Sequence, residues 1–149
     1  MENEEPSNRK FMFWLMWGMF VMSVFIYGIV VYTLGNSEVQ GQVVDLVILN
    51  NTFYVLSILA AVISVFVVDR FFKIKLNMQK QSETLNEGKI LQLYYPYFLV
   101  KIMFAEAIAS FGFCLAIIGA EKMHIYLPFG VFSLLILLVN IPKLDNLVN

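Results

Sequence analysis

The 149-residue chain holds one cysteine and one histidine. A lone thiol, Cys114, leaves disulfide exchange without its second sulfur. A lone imidazole, His124, cannot build the multi-ligand sites that hold zinc or haem. Cys114 falls within an apolar run and is expected to be a small core residue, while His124 is expected at an interface. Charge is scarce as well: 14% of residues are Asp, Glu, Lys or Arg, against about a quarter in a soluble domain. With a net charge of −1, nucleic acid is not an expected partner. The chain lacks a glycine-rich phosphate loop, an HExxH pair and a serine-nucleophile motif. It therefore offers no catalytic residues, no metal ligands and no cofactor, and it reads as a non-enzyme.

What it has in excess is apolar sequence, with 60% hydrophobic residues and a positive mean hydropathy. A hydrocarbon core about 30 Å thick takes about 20 apolar residues per helix, and four stretches qualify. They lie at about 11–34, 52–72, 98–120 and 125–141, with a polar cytoplasmic loop at about 73–97. The expected fold is all-α: one polytopic membrane domain of four transmembrane helices. The remainder is too short for a soluble domain, since an independent core is marginal below roughly 40 residues. The first run is longer than the h-region of a cleaved signal peptide and lacks a small-residue cleavage site, so a permanent helix is expected.

Basic residues set the expected orientation. With the N-terminus cytoplasmic, the inner segments carry Arg9, Lys10, Arg70, Lys73, Lys75, Lys80, Lys89 and Lys143, while the outer connections carry Lys122 alone. Lys101, near the start of the third run, can snorkel to the inner side. Both termini are then cytoplasmic, and the expected location is a bacterial inner membrane.

The third run has a clear face. Ala105, Ala109, Gly112, Ala116 and Gly119 recur at steps of four, three, four and three, a small-residue stripe that lets another helix approach closely. Ser57, Ala60, Ala61 and Ser64 form a similar face on run two. Beside the stripe lies Glu106, about 100° around the helix from Ala105, with Ser110 one turn on. An ionisable residue in a span costs at least about 2.5 kcal/mol on insertion scales, so Glu106 is expected at a helix interface, in an ion site or an interhelical hydrogen bond.

Run one carries aromatics all around, including Trp14, Trp17 and Tyr27, read chiefly as lipid contact with an interfacial anchor. Tyr94, Tyr95 and Tyr97 form a belt beside Pro96, and Gly88 and Pro96 are read as breaks. Pro128 is placed in the first turn of run four. Arg70, Lys73 and Lys75 are candidates for anionic lipid or a partner, and the 73–97 segment for a cytoplasmic partner. Asp69 reads as a local pair with Arg70 or a headgroup contact. Gly28 and Gly35 match Gly112 and Gly119 at an offset of 84, which allows two helical hairpins with Met22 in the place of Glu106.

The segment Ala-Glu-Ala-Ile-Ala-Ser-Phe-Gly-Phe-Cys-Leu-Ala, residues 105–116, resembles the carboxylate-bearing helix of rotary ATP synthase c subunits, the rotor-ring proteolipids. That resemblance implies a proton or sodium site at Glu106, with Ser110 as a hydrogen-bond neighbour. In other respects the chain resembles small bacterial four-helix membrane proteins. The expected function is an oligomerising subunit or scaffold, as a homo-oligomer or within a larger membrane complex. The alternative is proton or cation translocation, or small-molecule transport, through Glu106.

Overall fold

A computed structural model describes residues 6–35, 46–80, 86–119 and 122–142. Among these, all regular structure is helical: α1 (Pro6–Leu34), α2 (Leu46–Val62), a π-helical turn (Ile63–Val67), α3 (Val68–Lys80), α4 (Glu87–Ile118) and α5 (Lys122–Val139). Four helical rods are long and apolar enough to cross a membrane, with α2, the π turn and α3 forming one of them. The chain is an integral membrane protein. Lys143, Ala120 and the apolar residues just before Asp45 lie outside the described residues.

The boundaries differ from the sequence expectation mainly in the polar segment. Residues 73–97 are not a loop over most of their length, because α3 continues to Lys80 and α4 begins at Glu87. Amphipathicity explains the extension: Val68 and Phe72 of α3 are buried, Phe72 against Tyr94 and Tyr97 of α4, while Lys73 and Lys75 stay exposed. Gly88 sits in the first turn of α4, and Pro96 lies inside that helix rather than ending it. Pro96 is exposed, so its missing N–H frees a carbonyl on the outer face, while Leu91, Tyr94 and Phe98 anchor the inner face. Pro128 likewise lies beyond the first turn of α5, which starts earlier than expected, at Lys122.

α4 is the hub. α1, α2, the π turn, α3 and α5 all pack on it, whereas α1 and α2 share no substantial interface. The α4–α5 pair is therefore a hairpin and the α1–α2 pair is not. The inter-helix contacts fix the directions: Lys10 meets Glu87 and Tyr27 meets Glu106, so α1 and α4 run parallel. Phe53 lies by Phe111 and Phe72 by Tyr94, so the α2–α3 rod runs antiparallel to α4. One end of the bundle thus gathers the starts of α1 and α4 and the ends of α3 and α5, and with them Arg9, Lys10, Arg70, Lys73, Lys75, Lys80 and Lys89.

The small-residue stripe is consumed within the chain. Ala105, Ala109, Gly112, Ala116 and Gly119 are buried. A Cβ on Gly112 would stand 2.4 Å from the Phe129 Cβ, and one on Gly119 would stand 2.3 Å from the Ile125 side chain. Ala60 and Ala61 pack with Ile108, Leu115 and Phe129 in the same core. Gly35 ends α1 in the left-handed region at φ 60°, a conformation that costs a residue with a Cβ about 1–2 kcal/mol.

The π turn keeps the long rod facing α4. Ala60, Ser64, Val68 and Phe72 are all buried at steps of four. At 100° per residue those three steps would drift about 120° around a regular helix, and the one extra residue of a π turn takes back about 100° of it.

Candidate functional site

Two polar clusters lie inside the apolar bundle. The first surrounds Glu106 on α4. Tyr27 of α1 donates its hydroxyl to Glu106 Oε1 at 2.5 Å, and Ser110 donates to the same oxygen at 3.3 Å. The Tyr27 ring stacks on Phe113 with centroids 5.0 Å apart, which fixes the phenol's direction. Glu106 and Ser110 are therefore brought together as expected from their one-turn spacing. Tyr27 was not singled out: a hydroxyl among eight aromatics of run one carries no sign that it faces a carboxylate 79 positions away.

The second cluster lies about 7.5 Å nearer the basic end, five residues back along α4. The Lys101 ammonium meets Asp69 Oδ1 at 2.8 Å. Lys101 does not snorkel: the residue is 7% exposed, held between α4 and α3. Asp69 accordingly pairs across helices rather than with neighbouring Arg70. Ser64, in the π turn, donates to the Lys101 carbonyl at 2.9 Å, and Asn140 at the end of α5 donates to Ser64 Oγ at 2.6 Å. Ser133 of α5 donates to the Ala105 carbonyl at 2.7 Å, one turn further along. Each of these polar groups sits at a helix interface, where hydrogen bonding removes most of the cost of burial. The exceptions are Asn140 Oδ1 and Ser57 Oγ, which are buried without a partner.

The remaining candidates divide in two. Ser57, Ala61 and Ser64 face the core of the bundle, as packing residues should. Arg70 and Lys73 line one groove on the outer face of the rod, together with Asp69, and Lys75 is exposed outside it. Several expectations about single side chains are corrected. Cys114 is exposed, not a core residue. Phe13 is buried against Tyr94 and Phe98 instead of facing lipid. Trp17 donates its indole N–H to the Leu137 carbonyl at 2.9 Å. That carbonyl lies in the last turn of α5, where helical donors run out before Pro142.

Chemically, the first cluster can hold a proton between a carboxyl and two hydroxyls, or lock α1 to α4. The second ties four segments of the bundle together. Comparison with protein-family models, with curated proteins and with solved structures finds no match.

Proposed function

We propose that the chain is a non-enzymatic subunit that anchors a partner at the membrane through the helical projection built from α3 and the start of α4. The single observation that supports this best is length. The α2–α3 rod has 34 residues in its apolar-to-basic span and α4 has 32. They measure about 51 and 48 Å, against a hydrocarbon core of about 30 Å. The start of α4 is tied to α1 by the Lys10–Glu87 ion pair at 3.0 Å and by Arg9 donating to the Gly88 carbonyl at 2.9 Å. Rigid helices outside the bilayer present a surface with little ordering cost on binding. Lys73, Lys75 and Lys80 on its exposed side suit an acidic partner. The basic end is cytoplasmic in this proposal, as the distribution of lysine and arginine favours, and the membrane is a bacterial inner membrane.

The small-residue stripe does not support oligomerisation, since α5 already covers it, so any second copy would use the exposed surface. The test is site-specific crosslinking from the projection in native membranes. A discrete adduct that disappears in K73E/K75E, with the bundle still folded, is the expected result. A strict monomer with no adduct from any position on α3 would overturn the proposal.

A second proposal rests on Glu106. Its carboxyl is half-buried and shares two hydroxyl neighbours, Tyr27 and Ser110, a cluster able to take up and release a proton or cation. Carbodiimide labelling that varies with pH at Glu106, and slower proton flux in E106Q liposomes, are expected if the site translocates. Unchanged flux with pH-independent labelling would leave the hydrogen bond as a structural tie.

A further inference from the structure

The outer face of the α2–α3 rod carries a groove of about 380 Å³ that crosses from apolar to basic along its length. Val65 and Phe66 line its inner end, within the charge-free stretch that ends at Val68. Arg70, Lys73 and Asn77 line the other end. From Phe66 to Asn77 the rod rises about 16 Å. That is enough to run from the acyl-chain region into the headgroup layer, which is about 5–7 Å deep on each side.

Asp69 also lines the groove, and on its own would repel an anion. It is neutralised from behind, because the Lys101 ammonium is buried on its inner side at 2.8 Å and takes its charge. The groove therefore presents the two cations Arg70 and Lys73 with no opposing free carboxylate. The guanidinium and the Asn77 amide supply N–H donors suited to phosphate oxygens. Ile74, between Lys73 and Asn77, gives the groove an apolar side.

We infer that this groove binds one anionic phospholipid, its phosphate held by Arg70, Lys73 and Asn77 and the first part of an acyl chain lying on Val65 and Phe66. The match is amphipathic: a free phosphate would use only the basic end, and a zwitterionic lipid would bring its own cation against Arg70. The inference shares Lys73 with the proposed partner surface but names a different occupant, and the two are told apart by Lys75 and Lys80, which lie outside the groove and would serve the partner alone.

The test is native mass spectrometry of the full chain in neutral detergent, with phosphatidylglycerol and phosphatidylcholine of identical acyl chains supplied in equal amounts. One bound phosphatidylglycerol is expected to be retained in preference to phosphatidylcholine. Each basic residue near an anionic lipid surface contributes about fivefold in binding, so R70Q/K73Q should lose most of that preference. R70K/K73R should restore part of it and guards against a folding defect. K75Q/K80Q removes the same charge outside the groove and should retain the preference. Equal retention of both lipids, or equal loss in the two glutamine pairs, would overturn the inference. So would inorganic phosphate binding as well as the lipid does, which would mark a free-anion site.

Discussion

The Lys101 ammonium and the Asp69 carboxylate meet at 2.8 Å across the α3–α4 interface, although only one of the two is buried: the Lys101 side chain is 9% exposed and that of Asp69 42%. The pair therefore works asymmetrically. Asp69 can be solvated without Lys101, but Lys101 has no comparable access to solvent without moving α4 from α3.

Replacing Asp69 by Asn should accordingly cost more than its exposure suggests, about 2–3 kcal/mol, because it strands a buried ammonium. The figure stays below that for a fully buried pair because the Asp69 side chain is 42% exposed. Removing the stranded charge in D69N/K101M should recover most of the loss. Unfolding in mixed detergent micelles, followed by circular dichroism, measures both, and a double variant no more stable than D69N would contradict the asymmetry.

Gly112 and Gly18 should respond oppositely to alanine. At Gly112 the new methyl would stand 2.4 Å from the Phe129 Cβ, an atom close to the backbone that cannot swing away, so α4 and α5 must separate at about 1–3 kcal/mol. At Gly18 a Cβ meets nothing within 4 Å, and G18A should be neutral or stabilising by up to about 1 kcal/mol. Thermal unfolding of the two variants side by side reads the difference.

The Tyr27–Glu106 hydrogen bond should show coupling in a double-mutant cycle of Y27F and E106Q. Interhelical hydrogen bonds in membranes couple by about 0.6 kcal/mol on average and up to about 1.7, and the 2.5 Å bond belongs at the upper end. Additive single effects would show that this hydrogen bond contributes nothing to holding α1 on α4.

Trp17 should report on the end of α5. W17F leaves the Leu137 carbonyl without its indole donor, at a cost of about 1 kcal/mol. Amide exchange at Asn140 and Ile141, the closing residues of that helix, should quicken in the variant while exchange in the middle of α4 stays unchanged.

The four spans were legible because hydropathy over about 20 residues is a property of contiguous sequence. The stripe from Ala105 to Gly119 was equally legible, as helical periodicity places it on one side of α4. What that stripe faces was not: the Phe129 ring that fills Gly112 belongs to the next helix, and the same spacing would serve a second copy equally well. Helix ends were obscured where polar residues take over, since Lys73, Lys75 and Lys80 look like a solvated connection until Phe72 is seen packed on Tyr94 and Tyr97. The partners of the buried polar groups were least visible. Asp69 and Lys101 are 32 positions apart and Ser64 and Asn140 are 76, so their meeting depends on how α4 and α5 fold back.

The lack of a substantial α1–α2 interface bears on how the molecule is made. A nascent chain that has emerged only as far as Lys80 holds two membrane spans with almost nothing to say to each other. They become neighbours in one structure when the third span arrives between them. Synthesis therefore leaves the first half of the protein waiting in the bilayer, and the 32 residues from Glu87 to Ile118 convert inserted segments into a fold.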